Sequence, residues 1–285
     1  MSDIFYEVLY PTYGQYFKVS KTLFEHKTEH QHLVIFENEQ FGNVMALDGI
    51  IQTTEKDEFV YHEMLTHVPL IAHSCPKKVL IIGGGDGGIL REVLKHPTVE
   101  RVVQVEIDQA VIDMCKEYFP NHSAGAFDDK RAEVVIADGM EYVKTCHESF
   151  DVIISDSTDP MGPGEVLFTD GFYAHAKNCL ADGGVMVTQN GVSFMQLDEV
   201  VTTQQRMGPL YKQQTFYAAP VPTYVGGIMT LAWATDDVSL KTVSLSEIES
   251  RIAERDLSTR YYNADIHTGC FALPQYIKNA LAENE

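Results

Sequence analysis

The sequence predicts an α/β fold, a parallel sheet wrapped by helices and preceded by a small antiparallel β domain. Three observations predict it. From residue 78 onward, short apolar segments alternate with segments of helical period, the pattern of a sheet buried on both faces. The first ~55 residues instead hold short β-branched and aromatic runs, with Asp48-Gly49 as a hairpin turn. The hydrophobic fraction, 45% of 285 residues, is enough to bury a core of that size.

The elements follow in order. Strands are expected over 15–23, 32–37, 42–47 and 50–54, making residues 1–55 one β domain. A helix follows over 57–73, with Phe59, Met64, Leu65 and Val68 near one face. Residues 56–285 form the larger domain, with strands over 78–82, 101–106, 132–136, 150–155 and 184–189. The helices between them cover 87–95, 108–119, 139–146 and 170–180. A helix over 197–206, strands over 214–219 and 230–234, and helices over 246–255 and 274–282 complete the chain. Sheets of this kind bind ligands beyond their C-terminal strand ends, where the strand order reverses.

Composition narrows the function. No run approaches the ~20 apolar residues of a membrane span, and no basic start precedes an apolar stretch, so a cytoplasmic protein is expected. Five widely spaced cysteines without a C-x-x-C pair read as reduced thiols. With 41 acidic and 21 basic side chains, the formal charge of -20 disfavours nucleic acid and favours cationic ligands.

The acids converge at the strand ends. VLIIGGGDGGILRE sets Gly83, Gly85 and Gly88 in G-x-G-x-x-G spacing between a strand and a helix, with Asp86 inside the loop. QVEID puts Glu106 at the next strand tip, where a carboxylate suits ribose hydroxyls. Asp138-Gly139 heads a helix, either as a cap or in adenine recognition. IISDSTDP brings Asp156 and Asp159 to a fourth strand end. Carboxylates crowded in one crevice each need a cation or a proton, so a positively charged ligand is expected. Asp86 would repel a diphosphate at the helix N-terminus, which disfavours a dinucleotide and favours a sulfonium nucleoside. His62 and His67 imitate a zinc-protease motif but lie five apart rather than four, on different helix faces.

Together with SDSTDPMGPGE, HQHLVIFEN, ALDGIIQTTEKDEFVYHEM, PTYVGGIM and YYNADIHTGCFALPQY, these segments resemble the polyamine aminopropyltransferases, most closely the spermidine synthases. The resemblance spans about residues 13–276. It implies a Rossmann-like, methyltransferase-type domain behind the N-terminal β domain. It also implies transfer of the aminopropyl group of decarboxylated S-adenosylmethionine to putrescine, giving spermidine and methylthioadenosine. By the same resemblance Glu106 holds the ribose, Asp138 and Gly139 the adenine, and Gln31, Gln52 and Pro163 the rest of the nucleoside. Asp86 takes the terminal amine. Tyr61, His62, Asp159, Gln189 and Tyr224 position the diamine, and Asp156 accepts its proton. No metal or redox cofactor is required, the partners are small molecules, and a homodimer is expected.

The reaction implied is a direct displacement at the methylene carbon bonded to sulfur, with residues 161–164 as a mobile turn closing over the crevice. The nearest rival is an S-adenosylmethionine-dependent N-methyltransferase acting on a diamine. That donor's extra carboxylate would meet Asp86. A nicotinamide-dependent oxidoreductase meets the same objection. A non-catalytic polyamine-binding protein would have no use for Glu106 and Asp138.

Overall fold

The structure, a computed structural model, describes residues 3–160 and 162–284, and all their side chains except that of Pro163. Near the N-terminus, β1 (Asp3–Tyr6) pairs antiparallel with β2 (Tyr16–Val19). Next, β3 (Lys21–Lys27), β4 (His32–Asn38), β5 (Gly42–Leu47) and β6 (Ile50–Thr54) form a four-stranded antiparallel sheet. The strand expected over 15–23 is two strands. The chain breaks at Ser20, whose amide bonds the Glu37 carbonyl at 2.9 Å, and its halves join different sheets. Between β5 and β6 the hairpin is closed as expected, with positive φ at both Asp48 (50°) and Gly49 (83°).

The larger sheet holds β7 (Lys78–Gly83), β8 (Arg101–Glu106), β9 (Ala132–Ile136), β10 (Phe150–Asp156), β11 (Leu180–Val192), β12 (Gln213–Ala219) and β13 (Met229–Thr235). Their spatial order is β12-β13-β11-β10-β7-β8-β9. The strands from β7 to β11 run parallel, and β13 lies antiparallel between β11 and β12. The chain steps from β7 outward to β9 and then crosses to β10 on the other side. The order therefore reverses between β7 and β10, where Gly83 and Asp156 face each other in register.

The helices are α1 (Glu58–Ala72), α2 (Gly88–Leu94), α3 (Gln109–Tyr118), α4 (Pro120–Ser123), α5 (Gly139–Thr145), α6 (Asp170–Asn178), α7 (Leu197–Met207), α8 (Leu245–Glu254), α9 (Ala264–Gly269) and α10 (Gln275–Ala282). They cover both sheet faces. Val79, Ile81, Val152 and Ile154 pack on α1 and α2, while Leu80, Ile82, Val103 and Ile153 pack with Phe172 and Tyr173 of α6. Burial on both sides explains why these strands read as continuous apolar runs. The N-terminal sheet joins the rest through Leu33, Ile35, Met45 and Leu47, which pack on Val111, Cys115 and Phe119 at α3.

The expectation of a single apolar face on the first helix does not hold. Every residue of α1 from Val60 to Ala72 is buried, because sheet, α2 and α8 surround it. Its last turn carries no basic residue, and its free carbonyls are satisfied from elsewhere. Arg251 donates to the carbonyls of Ile71 (2.8 Å) and Ala72 (2.6 Å), and Arg255 to that of Leu70 (2.7 Å). The Glu63 carboxylate accepts the amides of Arg260, Tyr261 and Tyr262, each at 2.8 Å. Among the described residues, no helix is long and apolar enough to cross a membrane.

Candidate active site

A cleft opens over the β7–β10 reversal, and the glycine loop shapes its floor. Gly83 has φ +84° and would place any Cβ onto the Asp156 carbonyl, so only glycine lets the two strand ends meet. The Gly84 amide donates to that carbonyl at 3.2 Å. Two residues on, Asp86 accepts the Gly88 amide at 2.8 Å through Oδ1 and His62 Nε2 at 3.1 Å through Oδ2. Helix α1 supplies Tyr61, whose hydroxyl donates to Asp156 Oδ1 at 2.6 Å. The Tyr61 ring meets that of Tyr224 edge-on at 5.6 Å, and the Tyr224 hydroxyl donates to the Gln52 carbonyl at 2.7 Å.

The remaining expected residues extend the cleft to either side. Glu106 accepts the Asp108 amide at 2.9 Å, and Gln31 Nε2 donates to the Asp108 carboxylate at 3.2 Å. Asp138 caps α5 through Oδ1, accepting the amides of Met140 (2.7 Å) and Glu141 (3.3 Å). Asp159 accepts Gln196 Nε2 at 2.7 Å, and Gln189 Oε1 accepts the Gly191 amide at 2.8 Å. The cleft is lined by Gln31, Gln52, Tyr61, His62, Gly83, Gly85, Asp86, Glu106, Asp138, Gly139, Asp156, Asp159, Gln189 and Tyr224 together. The Pro163 side chain and Met161 of the expected gate lie outside the described residues.

The electrostatics separate the carboxylates. Burial, reinforced by the charge of Asp86, pushes Asp156 up to about 6. Burial also lifts Glu106 to about 7, and it raises Asp159 and Glu7. For Asp86 burial acts in the same direction, but the His62 imidazolium more than offsets it and holds the group well below the usual carboxylate range. Burial works against the His62 cation, yet Asp86 and Glu58 raise it to about 10. Asp86 is thus a fixed anion, while Asp156 can gain and lose a proton near neutral pH.

Two family models match this chain. One, described as a spermine/spermidine synthase domain, covers residues 58–245; the other, a spermidine synthase tetramerisation domain, covers residues 4–55. The polyamine aminopropyltransferase 1 of Pseudomonas aeruginosa is 59% identical, over 100% of this chain and 99% of that one. The chain belongs to the polyamine aminopropyltransferase family. A crystal structure of a spermidine synthase with the transition-state analogue AdoDATO superposes with a TM-score of 0.93 at 39% identity, covering 98% of this chain and 95% of that one. The spermidine synthase of Thermotoga maritima gives 0.91 at 38% identity, over 98% and 94%.

In this aminopropyltransferase the cleft also holds residues that sequence reasoning missed. Glu7 and Leu9 reach it from the N-terminal arm, and Gln196 reaches it from the start of α7. Glu7 accepts the Ile51 amide at 3.0 Å and Gln15 Nε2 at 3.2 Å. Neither Glu7 nor Gln196 stands in a motif. An acid in an arm without a strand signal gives no cue until the fold folds it back. His62 and His67 diverge as their spacing requires, the first to Asp86 and the second to Glu92 at 2.9 Å.

Proposed function

We propose that this aminopropyltransferase moves the aminopropyl group of decarboxylated S-adenosylmethionine to putrescine, releasing spermidine and methylthioadenosine. The observation that carries the reading is the adjacency of two unlike carboxylates, Asp86 fixed as an anion and Asp156 raised to about 6 and held by Tyr61. Asp86 takes the ammonium of the aminopropyl arm. Glu106 holds the ribose, Asp138 and Gly139 the adenine, and Gln31 and Gln52 border the nucleoside. Asp159, Gln189 and Tyr224 position the diamine.

Asp156 removes the proton that blocks the attacking nitrogen. The freed lone pair then forms a bond to the methylene carbon, the carbon–sulfur bond breaks, and its electron pair leaves with a neutral thioether. An alkylammonium near ~10 facing a carboxylate at about 6 sets a gap of four units, roughly 5 kcal/mol. The sulfonium and the second ammonium close part of that gap by repelling charge on the attacking amine. In-line holding of the nitrogen supplies the rest of the advantage.

Incubation with decarboxylated S-adenosylmethionine and putrescine tests the reading, with spermidine and methylthioadenosine as the expected products. Methylated diamine from intact S-adenosylmethionine, or no product from either donor, would overturn it. The five free cysteines fit a reducing compartment, and we assign the enzyme to the cytoplasm. It assembles as a homo-oligomer, a dimer or a multiple of one, through its N-terminal sheets, where Tyr6 and Tyr16 remain 64% and 59% exposed. A single-chain mass by light scattering would refute that assembly.

A further inference from the structure

His62 lies against the cleft, yet both its ring nitrogens already have partners. Nε2 is 3.1 Å from Asp86 Oδ2, and Nδ1 is 2.6 Å from Glu58 Oε2. Two ionised carboxylates flanking one ring favour the imidazolium, and they raise His62 to about 10. Such a ring has no free position to offer an amine. Glu58 is in turn gripped by Arg91 Nη2 at 2.8 Å, and Arg91 Nε bonds Glu92 at 2.7 Å. The Glu58 and His62 side chains are 8% and 3% exposed, so water does not compete for these bonds. The packing is as tight on the other side, because a Cβ on Gly88 would overlap the His62 ring.

We propose that Glu58, held by Arg91, is a positioning residue that fixes the His62 ring and through it the orientation and charge of Asp86. Glu58 does not itself line the cleft and acts only through His62, which does. It supplies the second carboxylate that lets a buried histidine stay doubly protonated. His62 then spends one N–H on Asp86 Oδ2 while the Gly88 amide holds Oδ1, and the carboxylate cannot rotate. The inference rests on the reading that Asp86 receives the donor's ammonium.

Two charged groups reach His62 at one remove. Arg91 of α2 bonds the same Glu58 Oε2 at 2.8 Å and opposes the imidazolium, and the Asp156 carboxylate favours it. The others face the ring directly. On its own helix these are Glu58 and Tyr61, on the glycine loop Asp86, and on α4 His122 at 5.9 Å between ring centroids. Burial lowers His122, which leaves it neutral, so the carboxylates decide the state of His62. Replacing Glu58 by glutamine removes one of two anions, and the ring then loses its second proton at a lower pH.

The test measures binding of decarboxylated S-adenosylmethionine and of methylthioadenosine, which lacks the aminopropyl arm, by calorimetry on the full chain. Asp86→Asn should weaken the donor by about tenfold or more and leave methylthioadenosine within about twofold. Glu58→Gln should do the same at pH 8.5 and recover much of the donor affinity at pH 6.5. If Asp86→Asn weakens the donor and Glu58→Gln does not at either pH, the positioning role fails and the reading of Asp86 stands. If Asp86→Asn leaves donor affinity unchanged, both fail. Equal loss of both ligands in Glu58→Gln reduces Glu58 to a structural part and overturns the proposal. The imidazole nitrogen signals of the unmodified protein decide it without a variant. They should report both His62 nitrogens protonated at pH 8.5, and a neutral ring there refutes it.

Discussion

A carboxyl group that must accept a proton from an amine gains basicity from poor solvation. Asp156 has that, but Tyr61 works against it, since its hydroxyl bond favours the ionised form. Asp156→Asn should retain methylthioadenosine affinity and lose about a hundredfold or more in spermidine formation; unchanged turnover removes its role as base. The pH profile follows from the sign of the shift. Below about 6 the free enzyme carries protonated Asp156, so kcat/KM should fall on the acid side of that value. Tyr61→Phe removes a bond that lowers Asp156, so its acid limb should move to higher pH. An acid limb that stays in place in Tyr61→Phe would detach the two residues.

At the scale of elements, the meeting of β7 and β10 is the feature that most tightly constrains the sequence. Gly83→Ala combines a positive φ with overlap on the Asp156 carbonyl, whereas Gly183→Ala has φ +77° and no neighbour within 4 Å. The first should cost at least about 2 kcal/mol in denaturant unfolding and lower turnover, and the second about 1 kcal/mol with turnover intact. Equal costs would mean that the close approach is not what requires glycine. Such motifs are what made this half of the site legible. Asp86, Asp138, Asp156 and Asp159 each sit within a few residues of a glycine or proline, Glu106 closes an apolar strand, and one sheet edge gathers them all. Glu58 was not legible as a partner of His62, because its spacing of four also fits any exposed helical pair. Nor was the break at Ser20, since an apolar run shows strand content but not the sheet that each half joins.

Across the whole molecule the acids set how stability responds to pH. Glu106 and Asp156, raised to about 7 and about 6, stay protonated in the fold after the unfolded chain has released those protons. Their contribution therefore falls as pH rises from about 4 toward 7. Glu58, lowered to about 2, runs the other way, and its contribution is lost only as pH falls through that value. His62, raised to about 10, contributes fully below its usual range and loses that contribution as pH rises through 10. Under the proposed function, decarboxylated S-adenosylmethionine brings positive charge to acids that have ionised against burial. Its Tm gain should be larger at pH 8 than at pH 5, by roughly a few degrees. An equal gain at both would show that the acids do not answer to the ligand's charge.

The clamp on α1 also bears on the order in which the enzyme is made. The helix that carries Tyr61 and His62 is made long before Arg251, Arg255 and the amides of residues 260–262 that bind its carbonyls and Glu63, with 180 residues separating Ile71 from Arg251. Domains generally fold as units during synthesis. Here the helix has the sheet and α2 to pack on before those groups are made, but its last carbonyls wait for them. A nascent chain stalled before residue 251 would hold every strand of the sheet together with Tyr61 and Asp156, yet leave the carbonyls of Leu70, Ile71 and Ala72 without their arginine donors.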